Sequence, residues 1–247
     1  MKQFLAMALS VLIMSFTSKP MFAESVKFGT FDFAPYALHD DPEGRLGLFV
    51  DINSAIAAKA GITFTDSVLP IARVVKDMEH GITDCAVIVQ TPWAIDNFIQ
   101  VAEIHNRLEI IVVTRPELSI SSINDLNGLR LAIPRGSFKN LPVSTDPEIE
   151  QVLTNSYQQS IHMLRAGRVD AIAGSAISIF HYFSVEDMTQ ADIGVVFPFE
   201  QNTLWLQCAK GQLSEDVLMK LDSATEALRL EGIFEDLIAR YIPPEFK

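Results

Sequence analysis

Apolar and polar positions along this chain keep exchanging between two periods. Short alternating or continuously apolar stretches at 26–31, 62–68 and 84–89 predict strands, and helix-like stretches with apolar residues three and four apart separate them. Residues 48–60 place Leu48, Ile52, Ala55 and Ile56 on one helical face, with Gly61 just past the end. Residues 72–80 predict a second helix, stopped by Gly81. A strongly apolar strand is expected at 108–114, a short helical turn at 122–126 and a strand at 129–133. Strands at 193–197 and 203–209 follow, then helices at 214–230 and 233–241, and Pro243-Pro244 ends the pattern. Strands alternating with helices predict an α/β architecture.

The pattern contains an echo of itself. A helical stretch ending in Met78-Glu79-His80 runs into Gly81-Ile82-Thr83-Asp84 and an apolar strand. Later, His162-Met163-Leu164-Arg165-Ala166 runs into Gly167-Arg168-Val169-Asp170 and another apolar strand. Each glycine is placed to take the left-handed conformation that closes a helix. Two such units predict two lobes on similar plans. No low-complexity linker separates them, so crossing strands are expected to join the lobes.

The first 23 residues read differently. Lys2 precedes an apolar run at 4–16 broken only by Ser10 and Ser15, a polar stretch follows, and Ala23 is a candidate cleavage point. The run is shorter than the roughly 20 residues that span a bilayer, so a secretory signal and a periplasmic mature chain are expected. No Cys lies near the cut to carry a lipid. Thirty-one acidic residues face 19 basic ones, a net charge of −12, which repels phosphate backbones and makes nucleic acid a poor partner. The five His residues are scattered without metal-ligand spacing, and neither metal nor cofactor is expected. Cys85 and Cys208 both sit in apolar stretches. Export permits a disulfide between them, while two buried thiols fit the sequence equally well.

Several short motifs fall in a family-like order. They are Phe33-Ala34-Pro35-Tyr36, Gly47-Leu48-Phe49-Val50-Asp51-Ile52, the two Gly-x-x-Asp units, Ile123-Asn124-Asp125-Leu126-Asn127-Gly128-Leu129-Arg130, Gly136-Ser137, and Glu231-Gly232-Ile233-Phe234. In this order the chain resembles the periplasmic solute-binding proteins of the amino-acid-binding type, partners of ABC importers. The resemblance implies a type II periplasmic binding protein-like fold, a monomer, and two lobes closing over a ligand cleft. Lobe one is then 24–113 with a return segment at 199–247, lobe two is 114–198, and residues near 112–116 and 197–202 cross between them. Family members usually clamp the ligand α-carboxylate with an Arg after the third strand and hold its ammonium with an Asp in lobe two. Here the first stretch is Thr91-Pro92-Trp93-Ala94-Ile95-Asp96, and the second position is Ser175. A free amino-acid zwitterion is therefore in doubt as ligand.

Other residues are candidates for a rebuilt grip. Gly136 and Ser137, after a strand, offer backbone N–H groups and a hydroxyl to an anion, or else form an ordinary helix cap. Arg135 adds charge beside them. Arg73 can hold a carboxylate with two hydrogen bonds, or pair with Asp77 one turn on. Phe33, Tyr36, Trp93 and Phe138 are rings that can enclose a solute, with core packing the other reading for Phe33. Thr91 and Ser175 complete the set. His162 and His181 are expected on the surface or as satisfied core residues.

Without a nucleophile–base constellation, the expected function is solute capture. The captured solute is a small polar or carboxylate-bearing one, and a membrane permease or a sensor protein reads the closed form. A regulatory module that contacts a partner without ligand is the alternative. A dehydratase-type enzyme on the same scaffold is a third reading, which Asp96 and Glu103 do not support by any motif.

Overall fold

The computed structural model describes residues 25–135, 138 and 141–246, apart from the side chain of Glu245. The expected signal at 1–23 lies outside the described residues, as do Gly136 and Ser137.

β1 (Ser25–Phe31) pairs in parallel with β2 (Thr63–Leu69) on one side and β3 (Cys85–Val89) on the other. The crossovers are α1 (Leu48–Ala60) and α2 (Ile71–Glu79). α1 forms where its apolar stripe places it. Leu48, Ile52 and Ile56 are fully buried, each contributing roughly 1.5–3 kcal/mol, and Gly61 ends the helix with φ 66°.

β5 (Arg130–Pro134) repeats the arrangement, parallel to β6 (Glu150–Thr154) and β7 (Ala171–Ser175). Between β6 and β7 lies α5 (Tyr157–Arg165), and α6 (Ala176–Val185) follows β7 directly. Two long antiparallel strands, β4 (Ile99–Thr114) and β8 (Val196–Cys208), join the halves into one sheet of order β2-β1-β3-β8-β4-β7-β5-β6. Read inward from either end, the order is the same. α7 (Glu215–Leu230) and α8 (Ile233–Ala239) return to the first half, while α3 (Pro92–Asn97) and α4 (Pro142–Thr145) are short.

The sequence echo is a matched structural device. Asp84 accepts a hydrogen bond from the Lys27 N–H at 2.9 Å, and Asp170 accepts one from the Arg130 N–H at 3.0 Å. The same two residues also use their backbones alike. Each N–H reaches back to that strand, and each carbonyl accepts from the far end of a long strand, Ala209 or Arg115. Gly81 and Gly167 supply the left-handed turns before them, with φ 67° and 65°.

The sequence expectations differ from the fold in three places. β4 starts at Ile99 rather than 108, because Gln100, Glu103, His105 and Arg107 interrupt its apolar run while the strand goes on pairing with β8 through shifts in register. The strands expected at 193–197 and 203–209 are one strand. Its polar middle, Glu200-Gln201-Asn202, stays in register with Ile110, Glu109 and Leu108. α3 and β6 carry too few apolar residues to show a period.

The chain has separate cores. Phe28, Ile52, Met78, Leu206, Leu221 and Phe234 belong to the first, around β1–β3. Two smaller clusters flank β5 and β7, one with Ile161, Ile179 and Phe183, the other with Leu126, Leu131 and Ile133. Cys85 and Cys208 face each other in the β3–β8 register and are joined by a disulfide, which decides the question the sequence leaves open. Among the described residues no helix is long and apolar enough to cross a membrane.

Candidate functional site

The loop after β1 brings the first half to the second. Hydrogen bonds from the Tyr36 and Ala37 N–H groups to the Phe33 carbonyl fold it into a turn, and the N–H groups of Leu48 and Phe49 at the start of α1 donate to the carbonyls of Pro35 and Tyr36. Gly47 is required at that junction. Its φ is 122°, and a Cβ there would meet the Ala37 Cα at 2.5 Å. The loop carries an aromatic cluster in which the Tyr36 ring lies 4.8 Å from Phe33 and 4.3 Å from Phe49.

From this cluster the Tyr36 hydroxyl reaches Ser175, at the end of β7, at 3.0 Å, a buried link between the halves. The Ser175 N–H donates in turn to the Tyr157 hydroxyl at 3.2 Å. The Tyr157 ring lies against Gly174, where any Cβ would collide with it. Burial pushes both phenols above the ordinary tyrosine value, so both are neutral rings at physiological pH. The Ser178 hydroxyl, fully buried in α6, lies near Tyr36 but outside good hydrogen-bond geometry.

Beside these hydroxyls a cavity of about 540 Å³ opens between the halves. Its first wall is Asp32, Phe33, Leu38 and His39 with Ile71 at the start of α2; its second is Pro134, Asn155, Tyr157 and Tyr182. At the rim His39 Nε2 lies 2.7 Å from Asp32 Oδ1, and this hydrogen bond raises the His39 pKa. Both groups are substantially exposed, so their attraction is screened. Burial also raises the Tyr182 phenol. Among the described residues no cluster of His, Cys, Asp and Glu could hold a metal ion.

The residues singled out from the sequence are distributed unevenly around this cavity. Phe33 lines it, while Tyr36 and Ser175 are not part of the lining and bond to each other between the halves. Arg73 follows its second reading. Its guanidinium pairs with Asp77 at 2.8 Å and is not part of the lining. The Thr91 hydroxyl accepts a hydrogen bond from the Ala94 N–H and caps α3. Trp93 is half exposed with its ring edge-on to Phe98, 5.5 Å away. Arg135 is exposed after β5, with its N–H bonded to the Thr154 carbonyl. Phe138, at φ 56°, packs against the Leu131–Ile133 cluster. Gly136 and Ser137 lie outside the described residues, and the next described helix begins only at Pro142. His162 is half exposed beside Glu186, whereas His181 is buried and its pKa lowered by that burial.

Asp32, His39, Tyr157 and Tyr182 escape the sequence reading. Asp32 and His39 flank the Phe33-Ala34-Pro35-Tyr36 motif, so a signal existed there; Tyr157 and Tyr182 come to the cavity only through the fold.

Solved structures share this fold. The BvgS VFT2 domain of Bordetella pertussis is 18% identical with a TM-score of 0.68, covering 88% of this chain and 93% of its own. A histidine kinase sensor domain with similarity to periplasmic binding proteins is 17% identical with a TM-score of 0.70, covering 87% and 94%. AbpA of Streptococcus pneumoniae, an amino acid ABC transporter substrate-binding protein bound to L-arginine, is 18% identical with a TM-score of 0.69, covering 89% and 96%. This chain has the two-lobed periplasmic binding protein-like fold. No protein-family model matches the sequence, and no curated protein matches it either. The cavity lies between the half of the sheet built on β1–β3 and the half built on β5–β7.

Proposed function

We propose that this protein captures a small solute between its lobes and presents the closed form to a membrane partner, an importer or a sensor. The observation that carries the reading is the cavity of about 540 Å³, walled by residues that this reading assigns to both lobes. A solute filling such a space touches both lobes at once, so it favours the closed arrangement over the open one. Similar structures include a transporter's substrate-binding protein and a histidine kinase sensor domain, which supports both kinds of partner. In this reading lobe one comprises 24–113 and 199–247, lobe two comprises 114–198, and the protein works as a periplasmic monomer after loss of its signal. The disulfide accords with an oxidising compartment.

A second reading has an observation of its own. Tyr36 and Ser175 tie the lobes together with the protein's own hydroxyls, so a regulatory module whose partner needs no ligand also fits. Thermal denaturation of purified protein against a broad solute panel separates the two. Capture is expected to raise the midpoint with at least one solute, in proportion to the logarithm of its concentration above Kd. A midpoint indifferent to every solute, with partner binding retained, contradicts capture.

A further inference from the structure

We propose that His181 makes the contact between the two halves sensitive to acid. Neutral, its ring packs in a joint between them; protonated, it sets a second cation beside Arg45 and loosens that joint.

The joint surrounds a cavity of about 520 Å³, separate from the one beside Tyr157. Asp41, Glu43 and Arg45, from the loop before α1, wall it together with Arg240, Tyr241 and Ile242 of the C-terminal segment. His181, Ser184 and Val185 of α6 close it from the second half. On the first side the charges are already committed. Arg45 grips Asp41 through Nη2 at 2.8 Å, donates through Nη1 to the Arg240 carbonyl at 3.0 Å, and lies 5.3 Å over the Tyr241 ring. The Tyr241 hydroxyl donates to Asp51 at 2.7 Å.

His181 has no such provision. It is buried, its ring meets Tyr182 edge-on at 5.4 Å, and it makes no hydrogen bond among the described residues. A buried imidazole without an acceptor is tolerated as the neutral form and is costly as the cation. Burial first and Arg45 second hold His181 below the ordinary histidine value, and Asp41 opposes them in part.

The other ionisable groups facing the joint among the described residues are Asp41, Glu43, Arg45, Arg240, Tyr241 and, on α6 itself, Tyr182. The hydrogen bond from Arg45 holds Asp41 at about 2, and burial raises both phenols. These three therefore keep their charge between about pH 5 and pH 8, the range in which histidine titrates. An imidazolium at His181 regains its water by leaving the joint, so protonation and opening are linked. Because the folded-state pKa is the lower one, the joint is at full strength above the ordinary histidine value. It weakens as pH falls from there to the folded value.

NMR titration of the histidines and hydrogen-exchange mass spectrometry of the purified protein, between about pH 8 and pH 5, test this. His181 is expected to titrate below an ordinary histidine, and its midpoint is expected to rise in Arg45→Gln. After correction for the intrinsic exchange rate, peptides covering 41–45 and 239–244 are expected to lose protection in acid in the wild type. In His181→Gln they are expected to keep it, and β1 is expected to stay protected in both proteins. A wild-type His181 midpoint at or above the ordinary value contradicts the proposal without recourse to any variant, and so does a midpoint unmoved by Arg45→Gln. Protection of the joint that is indifferent to acid in the wild type, or that falls equally in His181→Gln, contradicts it as well.

Discussion

Tyr36 and Asp170 hold different parts of the molecule together: Tyr36 links the two halves through Ser175, and Asp170 ties the start of β5 to the turn before β7. Tyr36→Phe keeps the ring in its aromatic cluster and removes only the hydroxyl that meets Ser175. The buried Ser175 hydroxyl then loses that partner, so urea denaturation is expected to show a loss of about 1–3 kcal/mol. Asp170 accepts from Arg130 through Nε at 2.9 Å and Nη2 at 3.0 Å, and pairs with Arg115 at 2.9 Å. These hydrogen bonds and charges hold its carboxyl below the usual carboxylate range. The folded-state pKa is depressed, so this stabilisation is present above the ordinary Asp value and is lost as pH falls through the folded one. Asp170→Asn is therefore expected to cost about 2–3 kcal/mol at neutral pH in denaturant titrations and progressively less in acid. His39 titrates in the opposite sense. Its NMR midpoint is expected above that of an ordinary histidine and to fall in Asp32→Asn. A midpoint unmoved by that substitution contradicts the rim pair.

Elements show how far sequence alone reaches. Both helix-Gly-x-x-Asp-strand units are written locally, in one glycine and one aspartate, and both form as the pattern implies. The long strands are harder, because their polar residues alternate in segments that a local reading takes for loops. The disulfide depends on a register between residues 123 apart, which no local pattern encodes. The cavity is harder still: Phe33 is visible as part of a motif, but Tyr157 reaches the site only because Gly174 leaves room for its ring. The C-terminal segment adds a contact between lobes that the Pro243-Pro244 stop does not announce. Phe246 stacks on Phe180 of α6 at 4.9 Å and lies 5.4 Å from Phe183, while Ile242 packs against the cores of both lobes. Phe246→Ala removes that half-buried ring and is expected to cost about 1–2 kcal/mol in thermal or urea unfolding. No change in stability contradicts a tail that holds the lobes.

At the scale of the molecule, the core around β1–β3 and the two clusters flanking β5 and β7 share one continuous sheet, and contacts outside that sheet add to how the halves sit. Tyr36–Ser175, Ile177 of α6 against the first core, and the C-terminal ring stack all favour approach of the lobes. In the proposed function a captured solute adds to the same balance rather than creating it, so ligand would act by shifting a population already biased toward closure. The most direct test is small-angle X-ray scattering of the purified protein, with and without a solute that binds by calorimetry. The account expects a smaller radius of gyration at saturation, with a larger ligand-induced change in Tyr36→Phe, which starts more open. A saturated protein whose scattering is unchanged in both forms contradicts capture by closure.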